Sequence, residues 1–136
     1  MAAEGFKLGL VLILTGCTTV AANQATFDNT QWQVVSIDGR ATPPNGNYSL
    51  RFDDGRVAGR FGCNSFGGNY SVTGRALLIS DVATTLMGCP EPAASFESKG
   101  LAILSNSMGI QWQSGQRIML RSARGVLELE LIPPAS

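Results

Sequence analysis

The sequence predicts an α+β, mainly β fold, a curved antiparallel sheet or incomplete barrel of about seven to eight strands with one helix. Three observations lead there. Short runs of period-two alternation recur along the chain, as where Tyr48, Leu50 and Phe52 alternate with Ser49 and Arg51. Turn dipeptides such as Asp38-Gly39 and Asp54-Gly55 separate these runs. Only Ser95 to Asn106 carries a helical stripe, through Phe96, Ile103 and Leu104, with Glu97, Ser98 and Lys99 assigned to the solvent side.

Residues 1 to 16 read as an export signal, with Lys7 closing a short basic region and Leu8 to Leu14 forming an apolar run. That run is too short to span a bilayer as a helix, which takes about 20 residues. Leu14-Thr15-Gly16-Cys17 resembles the bacterial lipobox, which implies cleavage before Cys17 and acylation of that cysteine. Each buried methylene contributes about 0.8 kcal/mol, so several acyl chains anchor a protein stably where one does not. Thr18 follows, and the absence of Asp there resembles lipoproteins sorted to the outer membrane, facing the periplasm. Residues 17 to 26 then form the acylated cysteine and a short tether, and residues 27 to 136 a single domain.

Within the domain, Gln31 to Ile37 begins the β structure, with Trp32 and Val34 on one face and Val35 and Ile37 on the other. Ala41 to Asn47, with two prolines, is a loop. Tyr48 to Phe52 and Arg56 to Phe61 flank the Asp54-Gly55 hairpin turn, and Gly59 leaves room for a bulge or a bulky neighbour. Asn69 to Val72 and Ala76 to Ser80 form another pair around Thr73-Gly74-Arg75. After the helix come three more alternating runs, through Ile110 and Trp112, Ile118 and Leu120, and Leu127, Leu129 and Leu131. Trp32, Tyr48, Leu50, Phe52, Phe61, Ile118, Leu120, Leu127 and Leu129 are the inward candidates, bulky enough to fill a small barrel.

The stretch from Phe61 to Cys89 organises the rest. Gly62-Cys63-Asn64-Ser65-Phe66-Gly67-Gly68-Asn69 reads as a tight corner, because Gly and Asn reach positive φ at little cost. No Gly-Lys-Ser/Thr follows and no helix opens after the glycines, which disfavours a phosphate cradle. Gly62, Cys63, Asn64, Phe66, Gly68 and Tyr70, followed by Thr84, Thr85, Met87 and Cys89, resemble the signature of the META domain family, which includes the heat-shock lipoprotein HslJ. The resemblance extends over residues 27 to 131. It implies a small barrel-like antiparallel fold with one helix, found in bacterial envelope lipoproteins linked to heat shock and novobiocin resistance. It brings no catalytic residues and no cofactor.

With Cys17 assigned to lipid, Cys63 and Cys89 remain as an even pair in an oxidising compartment, where pairing is the default. Two thiols without His or a nearby third Cys fall short of a four-ligand zinc site, so no metal is expected. The chain contains no His, which removes Ser-His-Asp and Cys-His catalysis. A formal charge of zero leaves no basic excess for nucleic acid. The expected function is therefore non-enzymatic: an envelope lipoprotein that binds or supports other envelope components. The alternative is a small-ligand or lipid-binding barrel, distinguished by an internal cavity, and the expected partners are a membrane together with an envelope protein or small apolar ligand.

Overall fold

The computed structural model describes residues 24–44 and 47–134, with Gly9 placed singly. The signal segment, Cys17 and residues 18 to 23 of the tether lie outside the described residues. A one-turn helix, α1 (Gln24–Phe27), precedes β1 (Thr30–Ile37), the two-residue β2 (Arg40–Ala41), β3 (Tyr48–Asp53), β4 (Arg56–Phe61), β5 (Asn64–Thr73) and β6 (Ala76–Thr84). The main helix α2 (Ala93–Leu104) follows, and then β7 (Met108–Ser114), β8 (Arg117–Ser122) and β9 (Gly125–Ile132).

Every strand pairing is antiparallel, and β1 pairs with both β3 and β9, so the eight longer strands close into a barrel while β2 extends the end of β1. The barrel is thus closed rather than incomplete. Its seam is narrow at one place. β6 meets β7 only through Ala76 opposite Gly109 and Leu77 opposite Met108.

Tight turns set these registers. Asp38 and Gly39, and again Asp54 and Gly55, have positive φ at both central positions, the backbone twist that two-residue hairpins favour. All nine inward candidates are buried. In β1, however, Ile37 points inward along with Trp32 and Val34, against the expectation that it shares a face with Val35. The cause is a β-bulge opposite β9 between Val34 and Ser36, which shifts the alternation by one residue.

A second correction concerns the glycine-rich corner, which turns at Gly62 and Cys63 alone. Phe61 pairs with Asn64, and β5 runs without interruption from there. Within it the glycines serve close approach: a Cβ on Gly68 would stand 2.6 Å from the carbonyl oxygen of Ser80. Gly59 makes room for a bulky neighbour, since its Cβ would lie 2.3 Å from Cζ of Phe66.

Both ends of the barrel are plugged. At the Asp54-Gly55 end, Phe27 of α1 packs against Phe52 with ring centroids 5.2 Å apart, and Trp32 and Trp112 surround it. At the Gly62 end, α2 presses Phe96 edge-on to Tyr48 at 5.5 Å and sets the backbone of Gly100 against the Phe61 ring. Helix α2 starts two residues before the expected Ser95, directly after Pro92. Trp112, by contrast with its strand neighbour Ile110, remains 40% exposed.

Candidate functional site

The motif residues converge where the β4–β5 turn meets the segment from Thr85 to Pro92. Gly62 supplies the turn with φ of +67°, and Ala93 sits so close that a Cβ there would be 2.9 Å from it. Cys63 is bonded to Cys89, with Cα atoms 5.9 Å apart, which ties the turn to the segment leading into α2. Beside that bond lies Asn64, the one buried polar side chain in the core among the described residues, 3% exposed.

Asn64 uses both ends of its carboxamide. Nδ2 donates to the Met87 carbonyl at 2.9 Å and to Oε2 of Glu97 at 2.7 Å, and it lies 3.4 Å from the Cys89 sulfur. Oδ1 accepts from the Met87 N–H at 2.8 Å and from the Thr85 hydroxyl at 2.9 Å. Thr85 also accepts from the Ser65 N–H at 3.0 Å and donates its own N–H to the Ser65 carbonyl. Full satisfaction of this kind is what allows a polar group to sit in an apolar interior.

The remaining motif residues are structural as well. Phe66 fills the space over Gly59 and stacks on Phe61 at 5.0 Å. Tyr70 packs edge-on to Phe52 at 4.9 Å and donates its hydroxyl to Asp28, whose Oδ1 also accepts from Gly55 N–H. Burial pushes the Tyr70 phenol above its ordinary value, with the hydrogen bond to Asp28 and the charges of Asp28, Asp53 and Asp54 adding to the shift. Thr84 donates to the Thr85 carbonyl at 3.0 Å. Met87 is held by its backbone, and its side chain projects outward, 57% exposed, beside Leu86 at 88%.

The helical stripe predicts Glu97 on the solvent side, yet it turns toward the disulfide. Its Oε2 stands 3.4 Å from the Cys89 sulfur, and its charge adds to burial in raising the Tyr48 phenol above its ordinary value. The helix stripe hid this because Glu97 lies next to the buried Phe96, at the border of the apolar face. The sequence does not single out Asp28 or Leu86, and for Glu97 the available signal is an acidic residue one step from a helix's apolar stripe.

Chemically, Cys63, Cys89 and Glu97 are the one group among the described residues whose ligand atoms all fall within 4.8 Å. Both sulfurs are consumed by their mutual bond, and the thiolate is the metal-binding form. Among the described residues, grooves lie on the outside of the barrel. One, about 760 Å³, runs between the outer face of α2 and the β8–β9 turn, past Ser95, Lys99 and Arg124. Another, about 310 Å³, crosses the outer face of β3 and β4 between Arg51 and Arg56.

Comparison with known proteins agrees with this architecture. Solved structures are similar in fold. An NMR structure of a protein from Burkholderia xenovorans has a TM-score of 0.65 at 23% identity, covering 82% of this chain and 87% of the other. A second NMR structure has a TM-score of 0.70 at 18% identity, covering 79% and 93%. Comparison with curated proteins gives no significant match. The META domain model matches residues 25–131, most of the described barrel with both motifs inside it, and the chain belongs to the META domain family.

Proposed function

We propose that this chain is a non-enzymatic, HslJ-type lipoprotein of the bacterial envelope, held by lipid on Cys17 at the periplasmic face of the outer membrane, that supports tolerance of heat or antibiotic by binding another envelope component. The observation that carries the binding reading is the filled interior. Trp32, Leu50, Phe52, Phe61, Ile118, Leu120, Leu127 and Leu129 occupy the barrel, and Phe27 and α2 plug its ends. A barrel so packed favours recognition at the outer surface over enclosure of a small ligand. Absence of His, disulfide-bonded thiols and motif residues spent on loop geometry support a non-enzymatic role.

The test compares cells carrying the native chain with cells carrying Cys17→Ser, by acyl labelling, membrane fractionation and survival under heat and antibiotic. Native protein should label, sediment with outer membranes and restore tolerance to a deletion strain; Cys17→Ser should lose the label and the membrane. Membrane retention without label would defeat the anchor assignment. Hydrolytic turnover that survives repurification and disappears on changing one polar residue would overturn the non-enzymatic reading.

A further inference from the structure

The barrel closes between β6 and β7 over two residue pairs only, which leaves the rest of the β6 edge unpaired on that side among the described residues. β6 pairs with β5 over its whole length, from Ala76 opposite Thr73 to Thr84 opposite Phe66. On its other side β7 accompanies it only as far as Leu77. The chain leaves β6 for α2, and α2 packs against β1, β4, β8 and β9, so among the described residues the edge from Leu78 to Thr84 has no strand beside it. At about 3.3 Å per residue that is an edge of roughly 20 Å.

Ile79 of this edge points into the core, but its outer face and the stretch from Ser80 to Ala83 are exposed. Leu78 and Val82 are 46% and 39% exposed, and Ser80, Asp81 and Ala83 are exposed too. The edge is stiff from behind, through β5 and, past Thr84, through the hydrogen bonds of Asn64 and Thr85 to the following segment.

We propose that the β6 edge from Leu78 to Thr84 is a strand-addition site for an extended segment of a protein partner, with apolar residues facing Leu78 and Val82 and a basic residue opposite Asp81. Three features select this occupant. A strand edge offers backbone N–H and C=O groups at alternate residues, which another extended backbone can satisfy and hydrocarbon cannot. Between Ala76 and Cys89 the sole charged residue is Asp81, so charge complementarity calls for one cation. The same stretch has no Lys, Arg or Pro, residues that commonly block edge pairing. Asp81 itself, at φ of +54° in a bulge and accepting from Asn69 at 3.1 Å, interrupts the edge and limits the register a partner can take.

The proposal rests on the surface-binding reading and adds the place and chemistry of the contact. A phage-displayed library of random nine-residue peptides is panned on the full 136-residue chain, and enriched peptides are synthesised for titration. Because the bulge at Asp81 puts Leu78 and Val82 on opposite faces, sequences with apolar residues on both faces and one Lys or Arg should emerge and bind saturably. Leu78→Lys and Val82→Lys should each weaken binding at least tenfold while leaving the melting temperature near native. Asp81→Asn, which also tolerates positive φ, should weaken it several-fold and reduce its salt dependence. N-methylation of alternate peptide amides should abolish binding, and hydrogen exchange should slow between Leu78 and Thr84.

Failure to enrich any saturable peptide overturns the proposal. So does binding indifferent to both lysine variants, or protection centred on the groove at Ser95, Lys99 and Arg124. Concentration-dependent dimerisation abolished by Val82→Lys would make a second copy of the chain the occupant, and the partner assignment would fall. If these peptide tests fail while the native chain still restores tolerance to the deletion strain, the edge assignment falls and the reading of the chain as a tolerance-supporting envelope protein stands.

Discussion

The side-chain amide of Asn64 pairs with the backbone of Met87 in both directions, donating from Nδ2 to its carbonyl at 2.9 Å and accepting its N–H at 2.8 Å. Asn64 thereby acts as an extra peptide unit, capping a segment that has left the sheet after β6. Its third partner, Glu97, draws α2 to the same point. The separated halves of the family motif are joined there, noncovalently by one carboxamide and covalently by Cys63 and Cys89.

Replacing Asn64 should therefore cost more than its size suggests. Asn64→Ala leaves the Met87 peptide groups and Glu97 without this partner, and should destabilise by on the order of 2–3 kcal/mol in denaturant titration. Asn64→Asp should be worse at neutral pH, since it cannot donate to Met87 or Glu97 and sets two carboxylates face to face. Lowering the pH should recover part of the loss in Asn64→Asp and none in Asn64→Ala. Equal stabilities for the two variants at pH 7 would contradict the donor role.

The disulfide closes a loop of 26 residue steps, for which the chain-entropy model gives roughly 3–4 kcal/mol. Because Asn64 holds the same segment, the two devices should be coupled. Chemical denaturation of Cys63→Ser/Cys89→Ser, Asn64→Ala and the triple variant should give a combined loss different from the sum of the separate losses by more than about 0.5 kcal/mol. Additive losses would show that the two act on independent parts of the fold.

Much of the architecture was legible because alternation and turn chemistry are local. Tyr48, Leu50 and Phe52 point inward as their spacing requires, and Asp54-Gly55 makes the turn that its dipeptide favours. Closure was not legible, since β1 meets β9 across nearly the whole domain and a bulge alters the phase on the way, carrying Ile37 inward. The glycines of β5 misled in another manner. Gly67 and Gly68 look like a corner by propensity, while the need for close approach to β6 makes Gly68 a strand residue. Asn64 reads locally as a turn former, and the family signature marks it without giving its partners. Its bonds to Met87 and Glu97 depend on contacts 23 and 33 residues away, which no local pattern contains.

Gly100 sets helix propensity against packing. In an exposed helix interior, Gly→Ala stabilises by about 1 kcal/mol. Here the new Cβ would lie 2.7 Å from Cε2 of Phe61, a ring fully buried and unable to give way freely. Gly100→Ala should accordingly destabilise by about 1–3 kcal/mol, as overpacked cores do. Combining it with Phe61→Leu should recover part of that loss. A rise in melting temperature for the single variant would mean that α2 can lift from the barrel without cost.

Alkaline pH should unfold the domain through its phenols. Both tyrosines of the chain, Tyr48 and Tyr70, are buried, and each is raised above the ordinary value of 10.0, chiefly by burial. The unfolded chain therefore releases these protons at lower pH than the native one. Above about pH 10 the unfolded state binds fewer protons, and stability must fall with rising pH; below that value the contribution is complete. Tyrosinate absorbance near 295 nm should consequently stay flat past pH 10 and then rise together with loss of the folded-state circular dichroism, rather than ahead of it. Tyr70→Phe loses the hydrogen bond to Asp28 and should be less stable at pH 7, yet its stability should decline less steeply above pH 10 than that of the native chain. Independent, early titration of either tyrosine in the folded protein would show that its ring is open to solvent.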